Sequence, residues 1–147
     1  MTTAVSGVTG LNLKAVLEGE VTRKLMIRLG SEAIRIGIAL GYVLEPVRRL
    51  APEVWLKAGD GDTAALAEVD HAIEVELRRM TDEGYSGTAQ DIRKGRRTEV
   101  DYMNGFVAAR GEEIGIPAPT HKAITALVKR LERGEITQHP DHVTALL

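Results

Sequence analysis

Apolar side chains recur at three- and four-residue spacing through most of the chain, which is the period of an α-helix. No stretch alternates apolar and polar residues as a half-buried strand would. The predicted helices cover 13–40 as one helix or two, a short piece within 46–57, a helix from 62 to about 83, then 88–94, a helix after 98, and 119–133.

Residue types at the segment ends support these boundaries. Asp62 and Thr98 are suited to capping the helices that follow them, because their side chains can accept a hydrogen bond from a free backbone N–H. Pro119 suits a first helical turn, and Gly41 and Gly134 are plausible helix stops. The chain is therefore predicted to be all-α.

The length of 147 residues and the 44% hydrophobic content are enough for a single core. We expect one helical domain over residues 1–134 and a frayed tail over 135–147. Residues 1–12 carry no helix-start signal, as though the chain entered in the middle of an element.

Overall charge and cysteine content restrict the function classes. The formal net charge of −2 favours neither nucleic acid nor an anionic membrane, and the absence of cysteine fits a reducing cytoplasm. The most apolar stretch, 25–44, contains Arg28, Glu32 and Arg35, so we interpret it as a buried helix of a soluble protein. With no signal peptide recognisable, a cytoplasmic location is expected.

The densest polar cluster spans residues 90–105 and mixes three carboxylates with four cations. From composition alone, a solvated, salt-bridged connection between helices is one interpretation. A nucleic-acid patch on Lys94, Arg96 and Arg97 is another, weakly supported in an acidic protein with few aromatic residues.

Other chemistry-bearing residues have no partners at a diagnostic spacing. The four histidines form no metal-ligand pattern and are expected at the surface, so no metal site is predicted. Ser6 and Ser86 have no neighbouring histidine base, which leaves a hydrolase triad unsupported. Gly105 is expected to allow a neighbouring helix or a ligand to approach closely.

Read as one string, Gln90-Asp91-Ile92, Gly95-Arg96 and Thr98-Glu99-Val100-Asp101-Tyr102-Met103-Asn104-Gly105 resemble the signature of the ketopantoate reductase C-terminal domain. Gly115-Ile116-Pro117-Ala118-Pro119, Ala4 to Leu11 and Glu32 to Gly41 are similar to further parts of that domain, in the family's order. The resemblance covers nearly the whole chain.

This resemblance implies a helical domain packed against an N-terminal Rossmann domain, with a 2-oxo acid substrate and NADPH meeting between them. The reaction would be hydride transfer to a ketone. The family's proton-donating lysine aligns before Met1, so no catalytic residue is expected within this chain. A homo-oligomer is also expected, and the charge balance predicts no nucleic-acid or membrane partner.

Four positions are candidate substrate or cofactor contacts. Glu99 aligns with a family acidic residue, where a carboxylate could accept hydrogen bonds from hydroxyls or orient the lysine. Asp91 also matches a family position, although it could merely cap a helix or pair with Arg96. Thr3 stands where the family has an asparagine. Ser86 lies one residue before the family's serine position, which Gly87 occupies here, and is expected to substitute for it.

The leading hypothesis is the substrate and dimerisation half of an NADPH-dependent ketopantoate reductase or of a relative acting on another 2-oxo acid. The alternative is a stand-alone helical module that dimerises or docks on a separately encoded Rossmann partner, without catalysis of its own.

Overall fold

A computed structural model describes residues 1–147 and contains nine α-helices with no strand, so the all-α prediction is confirmed. The only β-type pairing is an isolated bridge between Val47 and Leu50. The helices are α1 (Thr2–Thr9), α2 (Leu13–Glu18), α3 (Glu20–Ala39), α4 (Pro52–Gly59), α5 (Thr63–Leu77), α6 (Gly87–Arg93), α7 (Asn104–Glu113), α8 (Pro119–Glu132) and α9 (Asp141–Thr144), with a 3-10 turn at Val100–Tyr102.

Helix α3 divides the interior into two clusters because it buries apolar residues on two faces. Leu25 and Leu29 pack with residues of α1, α8 and α9. Met26 and Ile27 pack instead around Trp55, against α4 and α5. Each fully buried side chain of this size stabilises the fold by about 1.5–3 kcal/mol relative to an exposed one. Helix α3 is therefore the element that joins the two halves of the core.

Helix ends follow the residue chemistry at several positions. The Asp62 carboxylate accepts a hydrogen bond from the Ala65 N–H at 2.8 Å, which confirms the predicted N-cap of α5. Gly41 takes a left-handed φ of 82° after α3, as a helix stop requires. The amide oxygen of Asn12 caps α2 by accepting from the Ala15 N–H at 2.7 Å, a cap that was not predicted.

Of the two possibilities predicted for residues 13–40, the structure has two helices, which break at Gly19, where the backbone becomes extended. Two other boundaries differ from the prediction. Helix α5 ends at Leu77 rather than near 83. Thr98 opens only the 3-10 turn, accepting a hydrogen bond from the Val100 N–H at 3.3 Å, and the regular helix starts six residues later at Asn104.

The predicted frayed tail is also wrong, because residues 135–147 pack against the core. The Gln138 side chain donates to the Gly7 carbonyl at 2.7 Å, and the His139 N–H donates to the Val8 carbonyl at 3.0 Å. These donors satisfy carbonyls at the end of α1 that have no partner within the helix. Val143 is 1% exposed and belongs to the core around α1. The domain boundary at 134 stays a prediction.

None of the helices combines the length and the apolarity needed to cross a bilayer.

Candidate functional site

Thr3 and Ser86 lie together where α1 meets α6. The Ser86 hydroxyl donates to the Thr3 carbonyl at 3.0 Å and accepts from the Ala89 N–H at 3.0 Å, which caps α6. Ser86 is buried and Thr3 is half-buried. The serine hydroxyl is therefore already engaged in holding α6 on α1, and its contact with a substrate stays a prediction.

Asp91 lies one turn further along α6 and is half-buried. Its backbone carbonyl accepts from the Arg96 N–H at 2.8 Å and from the Lys94 N–H at 3.1 Å. Its carboxylate forms no hydrogen bond and no ion pair, so the link to Arg96 runs through the backbone and not through the two charges. The side chain remains available, and its role stays a prediction.

Glu99 is exposed and lies at the start of the 3-10 turn, with φ −88° and ψ 13°. Its carboxylate forms no hydrogen bond or ion pair within the chain, although Arg96 and Arg97 are close in sequence. It does not act as a helix cap either. No hydrogen bond or ion pair joins Glu99 to Asp91 or to the Thr3–Ser86 pair, so only two of the four candidates are bonded directly to each other.

Residues on both sides of Glu99 are anchored to α8. The Glu132 carboxylate accepts two hydrogen bonds from Thr98, one from its N–H and one from its hydroxyl, both at 2.7 Å. Lys129 donates to the Asp101 carboxylate at 2.7 Å and lies 3.0 Å from the other Glu132 oxygen. The turn is thus fixed at each end, while the side chain between the two anchors is free.

These anchors shift the acid–base behaviour of the groups that form them. Burial raises the pKa of the Glu132 carboxyl, but the hydrogen bonds from Thr98 and Lys129 outweigh it, so the pKa lies below its ordinary value. The hydrogen bonds from Lys129 and Arg97 likewise lower the pKa of Asp101, and Asp101 and Glu132 raise the pKa of Lys129. All three groups are therefore charged at neutral pH.

A groove of about 600 Å³ runs between α7 and α8, next to this turn in the chain. Small residues of α7 form one wall, and Pro117 to Pro119 with Lys122 and Thr125 form the other. Gly105 lines the groove, yet a Cβ there would meet its nearest neighbour at 3.4 Å, an ordinary contact. No neighbouring helix therefore approaches Gly105 tightly, and approach by a ligand stays a prediction. A tight approach occurs at Gly111, where a Cβ would lie 2.4 Å from the Ile116 carbonyl oxygen.

Exposed apolar side chains follow the turn along the start of α7. Tyr102 is 79% exposed, Phe106 53% and Met103 39%. Of the apolar residues Val100, Met103, Val107 and Ala108 in this region, only Val100 is fully buried. Tyr102, Met103 and Phe106 define this apolar surface, which lies next to Glu99 in the chain.

His121 is buried, which corrects the expectation that all four histidines lie at the surface. Its Nε2 lies 2.9 Å from the Leu29 carbonyl and its Nδ1 lies 3.1 Å from the Asn104 amide nitrogen. Since a carbonyl can only accept, Nε2 carries the proton and Nδ1 accepts from Asn104. Burial lowers the pKa of His121, against the raising effects of the Leu29 carbonyl and the Glu32 carboxylate.

The Glu32 carboxylate holds the N-terminus of α8. It accepts from the Thr120 N–H at 2.9 Å and from the His121 N–H at 3.0 Å. Because free N–H groups and the helix dipole favour an anion at that end, a side chain of α3 supplies the cap that Ala118 cannot. Sequence reasoning missed this role of Glu32, since the partner lies 88 residues away.

No three His, Asp or Glu side chains come together in an arrangement that could hold a metal ion.

A sequence profile of the ketopantoate reductase PanE/ApbA C-terminal family matches residues 1–132 of this chain. The chain belongs to this ketopantoate reductase family. The match covers eight of the nine helices, α1 to α8, and it includes the turn that carries Glu99.

Curated relatives support the family assignment. The 2-dehydropantoate 2-reductase of Mesorhizobium japonicum is 32% identical over 134 residues, which cover 88% of this chain and 33% of that protein. The 2-dehydropantoate 2-reductase of Archaeoglobus fulgidus is 40% identical over 68 residues, or 46% of this chain and 23% of that protein. The chain thus spans a third or less of the length of these ketopantoate reductases.

A solved structure agrees with the fold. The crystal structure of a PanE/ApbA family ketopantoate reductase from Ralstonia eutropha superposes with a TM-score of 0.66 and 27% identity, over 90% of this chain and 37% of that one. The helical arrangement of the ketopantoate reductase C-terminal domain is therefore present here.

Proposed function

We propose that this domain is the substrate-binding and dimerisation part of an NADPH-dependent 2-dehydropantoate 2-reductase, or of a relative that reduces another 2-oxo acid. Its family membership and the names of its relatives support an oxidoreductase of this class. The step would be reduction of a ketone to an alcohol, on the route that supplies pantothenate.

NADPH would supply the hydride in that reaction. Dinucleotides are usually held at a Gly-rich turn between a parallel strand and a helix. Residues 1–147 form no strand, so this chain offers no such turn for the pyrophosphate. The contribution we propose for this chain is therefore to the substrate, and a Rossmann domain, in cis or in trans, would hold the cofactor.

The observation that carries the proposal is the state of Glu99. An exposed carboxylate without an internal partner, on a turn anchored at both ends, is suited to accept a charge-assisted hydrogen bond from a substrate hydroxyl. A solvated linker would not require this anchoring. In the assembled reductase the same carboxylate could instead orient a protonated amine.

The other candidate contacts have lesser parts in the proposal. Asp91, with its unpaired carboxylate, is proposed to line the substrate side of α6. Thr3 and Ser86 are proposed to border the site at the meeting of α1 and α6, where Ser86 would have to exchange its bond to the Thr3 carbonyl for one to the substrate.

The apolar surface at Tyr102, Met103 and Phe106 supports a protein partner. In the proposed reductase, a Rossmann domain or a second copy of this chain would cover it, and a cytoplasmic location fits this biosynthetic role. The same surface also favours the alternative, a stand-alone module that docks on a separate Rossmann protein without catalysis of its own.

The test of the proposal uses this chain assembled with a Rossmann domain of the family. Glu99→Gln and Glu99→Ala should each lower kcat/KM for 2-dehydropantoate by roughly 10- to 150-fold, the loss of about 1.5–3 kcal/mol for a hydrogen bond to a charged group. The melting temperature should barely change, because the Glu99 side chain forms no hydrogen bond or ion pair within the chain.

A matched control is Glu113→Gln, which alters an exposed glutamate of α7 that pairs only with Arg110. It should leave kcat/KM unchanged. If the Glu99 variants retain full activity in an active assembly, the carboxylate has no chemical role. If no assembly with any Rossmann domain reduces a 2-oxo acid, the module without catalysis is the better description.

A further inference from the structure

Glu99 owes its position to its neighbours, because its own side chain makes no contact that could fix it. The residue immediately before it, Thr98, is 4% exposed and gives both of its donors to a single Glu132 oxygen. The orientation of the Glu99 backbone therefore depends on a carboxylate that lies 33 residues further along the chain.

Glu132 is placed to act as a fixed anchor. It is the last residue of α8, and its side chain is only 11% exposed. Lys129, one turn earlier on the same helix, compensates its charge at 3.0 Å and holds Asp101 on the far side of Glu99 at 2.7 Å. A simple helix cap would need one acceptor, whereas here an ion-paired network holds both flanks of one exposed residue.

We propose that Glu132 is a positioning residue that fixes the turn from Thr98 to Tyr102 and so directs the Glu99 carboxylate toward the substrate. This inference rests on the proposed role of Glu99. The proposal adds a residue that lies outside the family-like string around Glu99, because Glu132 is the last residue of α8.

The first part of the test uses the 147-residue chain and does not depend on catalysis. The Thr98 amide proton, observed by NMR, should shift with pH as Glu132 titrates, with a midpoint below the ordinary glutamic acid value. In Glu132→Ala this titration should disappear, and amide hydrogen exchange should quicken across 98–102 but not in α5. A turn that exchanges at the original rate in Glu132→Ala would overturn the proposal.

The second part measures kcat/KM in the chain assembled with a Rossmann domain. Glu132→Ala should lower it by about tenfold, and the same change made in a Glu99→Ala background should cause no further loss, because coupled residues are not additive. Additive losses would mean that Glu132 acts through general stability and not through Glu99. Glu132→Gln, which keeps an acceptor for the two Thr98 donors, should restore part of the activity.

Two controls separate the possible failures. Glu135→Gln removes another ion-paired carboxylate just beyond α8 that has no bond to the turn, and it should change neither readout. If Glu132→Ala does not fold, Thr98→Ala can replace it, because it removes the hydroxyl bond to Glu132 and keeps the N–H bond. It should produce the same faster exchange and lower kcat/KM, but to a smaller extent. If Glu99→Ala is fully active while the exchange result holds, the proposed function fails and the anchoring stands.

Discussion

Replacing Gly111 by alanine should destabilise the domain, although alanine is the better helix former. Gly111 is buried in α7, and a Cβ there would lie 2.4 Å from the Ile116 carbonyl oxygen and 2.7 Å from Ile36 Cδ1. The Ile36 methyl could move, but the Ile116 carbonyl belongs to a backbone segment whose N–H donates to the Gly111 carbonyl at 2.8 Å. The added methyl therefore has to displace the backbone at the end of the helix.

Two opposing effects set the size of the change. Overpacking costs about 1–3 kcal/mol, and a clash with backbone falls in the upper half of that range. Replacing glycine by alanine in a helix returns about 0.5–1 kcal/mol. The net loss of stability should be about 0.5–2.5 kcal/mol, or roughly 2–10 °C in melting temperature for a domain of this size.

Gly105→Ala is the matched control on the same helix. Its nearest contact would be the Val100 carbonyl oxygen at 3.4 Å, so the helical gain of about 0.5 kcal/mol should remain. Both variants can be compared with the parent chain by urea unfolding and thermal melting. If Gly111→Ala is as stable as Gly105→Ala, the crowding at Gly111 does not exist and the reasoning is refuted.

Three further predictions concern stability. Burial lowers the pKa of His121 in the folded chain, so the unfolded chain binds more protons between the folded pKa and about 6.5. The free energy of unfolding should therefore fall as the pH drops through this range. Urea unfolding at several pH values should lose this pH dependence in His121→Gln and keep it in the exposed His71→Gln. Gly115, at φ 72°, should accept asparagine far better than valine, for which a left-handed backbone costs about 1–2 kcal/mol, and equal melting temperatures would count against this. Val143→Ala should cost about 1.5 kcal/mol for two buried methyl groups, whereas a frayed tail would show no loss.

Local chemistry was enough to predict the helices and many of their ends. The 3.6-residue period identified the all-α fold, and Asp62 and Gly41 marked helix ends as their side-chain and backbone properties require. Gly115 follows the same local rule in the structure. Its left-handed backbone ends α7, the Ile116 N–H donates to the Gly111 carbonyl at 2.8 Å, and the Gly115 N–H donates to the Glu112 carbonyl at 3.3 Å. These features depend on residues within one or two turns of each other.

What the sequence could not reveal depends on long-range pairing. Thr98 has the residue type of a helix cap, but its hydroxyl is shared with Glu132, 34 residues away, and a 3-10 turn replaces the expected helix. His121 resembles any surface histidine until Leu29, 92 residues away, provides a carbonyl for its ring. The tail 135–147 is held by α1, about 130 residues earlier in the chain, whose carbonyls accept from the tail's donors. The spacing of apolar residues along the chain does not indicate which of these distant residues will pair.

The two ends of α8 perform different tasks, and this separates stability from function in the proposed site. At the N-terminal end, Glu32 and His121 join α8 to α3 and α7 through buried bonds, so changes there should act on the whole fold. At the C-terminal end, Lys129 and Glu132 bind the polar flanks of a turn in which Glu99 is exposed, while Val100 of the same turn is buried in the core. A substitution of Glu132 removes only the polar bonds to Thr98 and leaves the apolar contacts of Val100 in place. For this reason the Glu132 variants, unlike those of His121, should be able to lose substrate turnover with only a small change in melting temperature.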